Sequence, residues 1–168
     1  TSILLSLQTF NIIKGVHESG FVHRDIKPDN FVIGFGNSHN RIYLIDFGLS
    51  VSFINKDTMQ HNDYIHKHQF TGSFRYSSIN NHKGIQQSRR DDLESLSYMM
   101  IYFYKGVLPW QNIPAKDKRD KLKKTYQKKT ETSLDELCKD CPKEFKQIVR
   151  YSRNLGYKEK PDYSYIKY

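Results

Sequence analysis

A chain of 168 residues, 37% hydrophobic and 14% aromatic, has the length and apolar content of one globular domain and excludes a disordered chain. Its formal net charge of +9 favours acidic partners such as nucleic acid, anionic lipid or phosphorylated protein, without choosing among them. No apolar run reaches the roughly 18 residues of a membrane span, and "SILLSL" lacks the basic flank of a signal peptide, so no membrane partner is expected.

In chain order, Leu5, Ile12, Ile13 and Val16 recur at helical spacing and "SG" follows, which predicts a helix over 1–19. After a charged loop come two short apolar runs, 31–35 and 41–47, separated by "GNSHN"; this pattern predicts a β-hairpin. Residues 48–90 show no periodicity, and a loop that long is functional or disordered. Residues 91–106 open with two acids and are then apolar almost all round, as a buried helix would be. Residues 116–130 form a basic helical stretch, "SLDE" opens a short helix, and Pro142 starts another with Phe145, Ile148 and Val149 on one face. "PDYSYIKY" begins one more. Cys138 and Cys141 stand alone, without a second pair or a βαβ pattern; they read as ordinary reduced thiols of a cytoplasmic or nuclear protein.

The loop "HRDIKPDN" (23–30) sets Arg24, Asp25, Lys27 and Asp29 between apolar stretches. Charges that close to a core need partners, and an active-site loop held by rigid neighbours supplies them. The loop fits the kinase pattern H-R-D-x-x-x-x-N, and the hairpin after it ends in D-F-G at Asp46. In that order Asp25 is the expected acceptor of a hydroxyl proton. Lys27 balances charge on the transferred phosphoryl. Asn30 and Asp46 offer oxygen ligands to Mg²⁺ beside ATP.

Together with these, "IDFGLS", "TGSFRYSSIN", "SRRDDLESL", "LPWQ" and "KPDYSY" resemble the casein kinase I family of serine/threonine protein kinases, nearly end to end. "SIN" (78–80) stands where most protein kinases have A-P-E. The resemblance implies a mainly α fold, the C-terminal lobe of a kinase with a small β-hairpin beside the catalytic loop and no N-terminal β lobe. It implies that 1–168 is a partial kinase domain, truncated at both ends and inactive without the missing lobe. His23, Arg24 and Asp92 are implied as structural support, although Asp92 reads equally as a simple N-terminal helix acid. Val32 and Ile45 are implied as the floor under adenine; as bare sequence they are strand core. Ser73 is implied beside Asp25 and Lys27, with Ser97 where glycine is usual on the buried helix.

The basic stretch 116–130 keeps three readings: a solvated helix face, a phosphate-recognition element, or a nucleic-acid or localisation patch. The resemblance favours recognition of acidic or phosphorylated protein substrates, through Lys121 with Arg75, and no specific nucleic acid. His61, His66 and His68 read as solvated loop histidines rather than metal ligands. Two other functions remain: a non-catalytic kinase-like binding module, and a nucleic-acid-binding domain that charge alone supports.

Overall fold

α3 (Arg89–Lys105) is the axis of the molecule: all eleven residues from Asp91 to Ile101 are buried. The computed structural model describes residues 2–66 and 68–167, and the first and last residues of the predicted terminal helices, Thr1 and Tyr168, lie outside them. α3 begins two residues before the predicted start. Its N-cap is Ser88, whose N–H donates to the Asp91 carboxylate at 2.8 Å. Gly106 ends it with φ 75°, a left-handed conformation in which glycine carries no side-chain penalty.

Two helices cover α3. α1 (Ser2–Glu18) presents Phe10 and Ile13, and α6 (Lys143–Asn154) presents Phe145 and Val149, with Ile148 partly buried beside them. Full burial of each such side chain is worth about 1.5–3 kcal/mol. Ser97 is also buried and donates to the Glu94 carbonyl, so its hydroxyl is satisfied inside the helix. Among the described residues no helix is long and apolar enough to cross a membrane.

The predicted hairpin forms from β2 (Phe31–Ile33) and β3 (Ile42–Leu44), antiparallel, with Val32 opposite Tyr43. Phe31 and Leu44 pack on the core. By the alternation of strands, Val32, Tyr43 and Ile45 share the other, more exposed face.

Segment 48–90 is more structured than its lack of periodicity suggested. β4 (Val51–Ser52) pairs antiparallel with β1 (Phe21–Val22), Ile54 bridges His61, and the Asn55 side chain closes a turn by accepting from the N–H of Asp57 and Thr58. α2 (Ile79–His82) follows, capped by Ser78, whose hydroxyl accepts from Asn81 N–H and donates to Asp91. Pairs of two residues and a single helical turn are too short to leave a period in sequence.

α4 (Lys118–Glu131) is capped by Asp117, and α5 (Leu134–Leu137) by Ser133, as "SLDE" predicts. Pro142 occupies the N-cap of α6, and α7 (Tyr163–Lys167) completes the described chain. The result is mainly helical with two small antiparallel sheets, like the C-terminal lobe of a kinase.

Candidate active site

The loop 23–30 hangs from α3. The buried Asp92 carboxylate accepts from the backbone N–H of His23 at 2.6 Å and of Arg24 at 2.9 Å, and lies 3.1 Å from His17 Nε2 on α1. The Tyr163 hydroxyl, 2.7 Å from His17 Nδ1, holds the far side of that imidazole. Burial alone would push the Asp92 carboxyl up. His17 and the two backbone donors outweigh it and hold the carboxyl below its usual range. Asp92 is therefore more than a helix-end acid: it anchors the loop.

That anchor lets the loop turn sharply. Arg24 sits at φ 68°, a left-handed conformation rare for a residue with a side chain, and its Nε donates to the Leu49 carbonyl at 2.6 Å. His23 Nε2 lies 3.3 Å from the Ile45 carbonyl, and its ring meets Phe47 edge-on at 5.1 Å, linking the loop to D-F-G.

Asp25 is buried, with its two oxygens in different circumstances. Oδ2 takes Lys27 Nζ at 2.6 Å, and Asn30 Nδ2 at 3.4 Å; Asn30 also donates to the Asp25 carbonyl at 2.8 Å. Oδ1 is buried and has no hydrogen-bond partner among the described residues. Beside it lies Gly72, at φ 94°. A Cβ there would stand 2.4 Å from the Arg24 carbonyl oxygen and 3.3 Å from Asp25 Oδ1, so this position needs glycine. The hydrogen bond to Asp25 raises the Lys27 ammonium above its usual value, with Asp29 and Asp46 adding to it.

Asn30 and Asp46 both stand at the open end of the hairpin, where the Ile45 N–H donates to the Asn30 carbonyl at 2.9 Å. Asn30 spends its amide nitrogen on Asp25, which leaves its amide oxygen as the available ligand atom. Asp46, at φ 61°, turns its Oδ1 toward the Gly48 N–H at 3.2 Å. An anionic and a neutral oxygen offered from this end of the hairpin would suit a hard cation completed by phosphate oxygens, such as Mg²⁺ on a nucleotide. Val32 and Ile45, both partly exposed, form the apolar surface next to this end.

Ser73, Arg75 and Lys121 do come together, in a pocket of about 380 Å³ that Asp29, Gln111 and Thr125 also line. Ser73 makes no hydrogen bond to Asp25 or Lys27 among the described residues; it belongs to the pocket wall. Neither Arg75 nor Lys121 has a carboxylate partner among the described residues, whereas Lys124 is 2.9 Å from Asp120 and Lys128 is 3.8 Å from Glu136. Arg75 and Lys121 thus share one concavity, with the Asp29 carboxylate also in its wall.

Sequence reading missed Gly72, Trp110 and Lys129. "LPW" marked Trp110 as a helix stop and "LPWQ" as part of the family resemblance, neither of which showed that its indole Nε1 donates to the Arg75 carbonyl at 2.6 Å. Lys129 hides in a basic run. The one signal for it is its place one turn after the buried Thr125, on the inner face of α4. The segment's histidines have local neighbours: His61 and His68 each have Nδ1 2.9 Å from the next residue's carbonyl, and His66 meets Tyr64 edge-on. Among the described residues no three His, Cys, Asp or Glu side chains converge as a metal site. Burial pushes the Cys138 thiol up to about 11, away from the reactive thiolate. Residues 3–161 match the family model described as the protein kinase domain.

Proposed function

The chain belongs to the protein kinase family, and on that premise we propose that it carries the catalytic loop of a casein kinase I-type serine/threonine kinase. Such an enzyme moves the γ-phosphoryl of ATP to serine or threonine in acidic or already phosphorylated proteins. The observation that carries this reading is the divided Asp25 carboxylate. One oxygen is fixed by Lys27 and Asn30, and the other has acceptor capacity left over.

In the reaction the substrate hydroxyl oxygen bonds to the γ-phosphorus, the bond to the β,γ-bridging oxygen breaks, and the hydroxyl proton passes to Asp25 Oδ1. Lys27, held against Asp25, brings positive charge to the transferring group. A bound Mg²⁺ supplies charge neutralisation on the nucleotide phosphates. Asn30 and Asp46 are the residues that would hold it. Val32 and Ile45 give adenine an apolar floor. His23, Arg24 and Asp92 keep the loop in its turn. Arg75 and Lys121 receive a phosphate or carboxylate near the acceptor, since a guanidinium fork with a nearby ammonium suits a group carrying close to two negative charges. The "SIN" stretch and Lys27 two positions after Asp25 support the casein kinase I and serine/threonine assignments.

The test is kinetics in a two-lobed protein carrying this chain. Asp25→Ala should lower kcat about 10²–10⁴-fold with ATP affinity little changed. Asp29→Ala should retain kcat on an unphosphorylated peptide. Asp46→Asn should raise the Mg²⁺ requirement. A larger kcat loss from Asp29→Ala overturns the assignment. Phosphopeptide binding without any transfer by the native protein makes it a binding module instead.

A further inference from the structure

The Lys129 ammonium is fully buried on the inner face of α4. A buried charge is costly unless it is paired and hydrogen-bonded. Nζ donates to the carbonyls of Phe74, at 2.9 Å, and Ser77, and lies 5.2 Å from the ring centres of both Tyr98 and Trp110. Burial pushes its pKa well below the usual lysine value, and the negative charge of Glu94 opposes that fall. The two carbonyls satisfy the buried nitrogen. They also show what it holds: the segment that carries Arg75.

Three carbonyls of that segment, those of Phe74, Arg75 and Ser77, are gripped from outside. Lys129 takes the carbonyls on either side of Arg75, and Trp110 Nε1 takes the carbonyl of Arg75 itself. The Trp110 ring is set by an edge contact with Tyr98, at 4.8 Å between centres. Arg75 therefore leaves a backbone with little freedom, and its guanidinium lies 5.8 and 5.7 Å from the rings of Tyr76 and Tyr102. Lys121 stands on the same helix as Lys129, about 12 Å along the axis. One helix thus supplies a cation to the pocket and anchors the backbone of the other.

From this arrangement we infer that Lys129 and Trp110 are positioning residues for phosphate recognition: they fix the separation of Arg75 and Lys121 to suit one phosphoryl group. The inference rests on the reading of that pocket given above. Lys129 lies behind the pocket wall, and Trp110 forms part of that wall while holding the Arg75 carbonyl. A purely stabilising role would lower the melting temperature and leave affinity intact; a positioning role lowers affinity in protein that is still folded.

The experiment is titration of the 168-residue chain with a phosphoserine peptide and with its unphosphorylated twin, by calorimetry, with circular dichroism to confirm folding. Lys129→Met and Trp110→Phe should each weaken the phosphopeptide about fivefold to tenfold, as loss of a backbone anchor predicts, and leave the weak binding of the twin unchanged. Trp110→Phe keeps every charge and the aromatic wall of the pocket and removes only the bond to the Arg75 carbonyl, so it decides the question alone if Lys129→Met does not fold. Phe145→Leu, which loosens the core at α6, should bind like the native chain. Affinity within about twofold of native for both anchoring variants overturns the inference while Arg75→Ala/Lys121→Ala still loses binding. Native affinity in Arg75→Ala/Lys121→Ala removes the pocket reading itself, and the inference with it.

Discussion

Gly72 is the residue where the backbone leaves least room. Gly72→Ala brings a methyl against the Arg24 carbonyl oxygen at 2.4 Å, in a left-handed conformation as well. The cost should be about 2 kcal/mol or more by urea unfolding, with kcat falling in a two-lobed protein because the displaced atom belongs to the catalytic loop. Gly36 has a similar φ and nothing within 4 Å of a Cβ, so Gly36→Ala should cost only about 1 kcal/mol. His82 sets a pH limit. Burial, with the Lys129 charge behind it, pushes its imidazole from 6.5 down to about 3. Between those values the unfolded chain takes up a proton that the folded chain refuses. Its contribution is fully present above pH 6.5 and is lost as pH falls toward 3. The urea midpoint should drop between pH 7 and pH 4, and less steeply in His82→Gln; parallel curves would clear His82 of the effect.

At the scale of elements, the caps separate by burial. Ser78 caps α2 and also donates to the buried Asp91, so Ser78→Ala removes two bonds and leaves a buried oxygen short of a donor. Ser133 caps α5 at the surface. Urea unfolding should show about 2 kcal/mol lost for Ser78→Ala and about 0.5–1 kcal/mol for Ser133→Ala. Both serines precede helical turns, yet only Ser133 was legible, because Glu136 follows it in the pattern of a capping box. Ser78 lies in a stretch with no period. The long helices were legible from apolar spacing, and the loop from H-R-D, its asparagine and D-F-G. The β1–β4 pairing was not, since two-residue strands carry no alternation. Arg75 and Lys121 joined one site only through family resemblance, because a basic helix looks the same whether its lysines meet solvent or a phosphate. Lys129 shows the limit best: composition places lysine outside, and only tertiary carbonyls bring it in.

Across the whole molecule, apolar exposure is uneven. Phe35 is 98% exposed and Ile33 68%, on the hairpin, and Leu4 is 67% exposed on α1. Gln8 ties these neighbours together by bonding Asn40 and Ile42 of the hairpin. Side chains of this kind gathered on one side of a molecule favour association. Sedimentation should show concentration-dependent self-association of the 168-residue chain, strengthened by sulfate and reduced by Ile33→Ser/Phe35→Ser. A monomer at all concentrations would count against it. The net charge of +9 opposes association at low salt, so the two effects separate by ionic strength.

The Asp92 anchor has a kinetic consequence. The amide protons of His23 and Arg24 lie in a loop, where exchange with solvent deuterium is usually fast. Here both point at a carboxylate rooted in the most buried helix of the fold. They can exchange only when that helix opens or the loop tears away from it. Their protection should match that of Leu96 or Met99 in the middle of α3, and the loop's lifetime becomes that of the core. In Asp92→Ala the two amides should exchange at the pace of ordinary turns while the α3 amides stay slow, which would uncouple the clock of the loop from that of the helix.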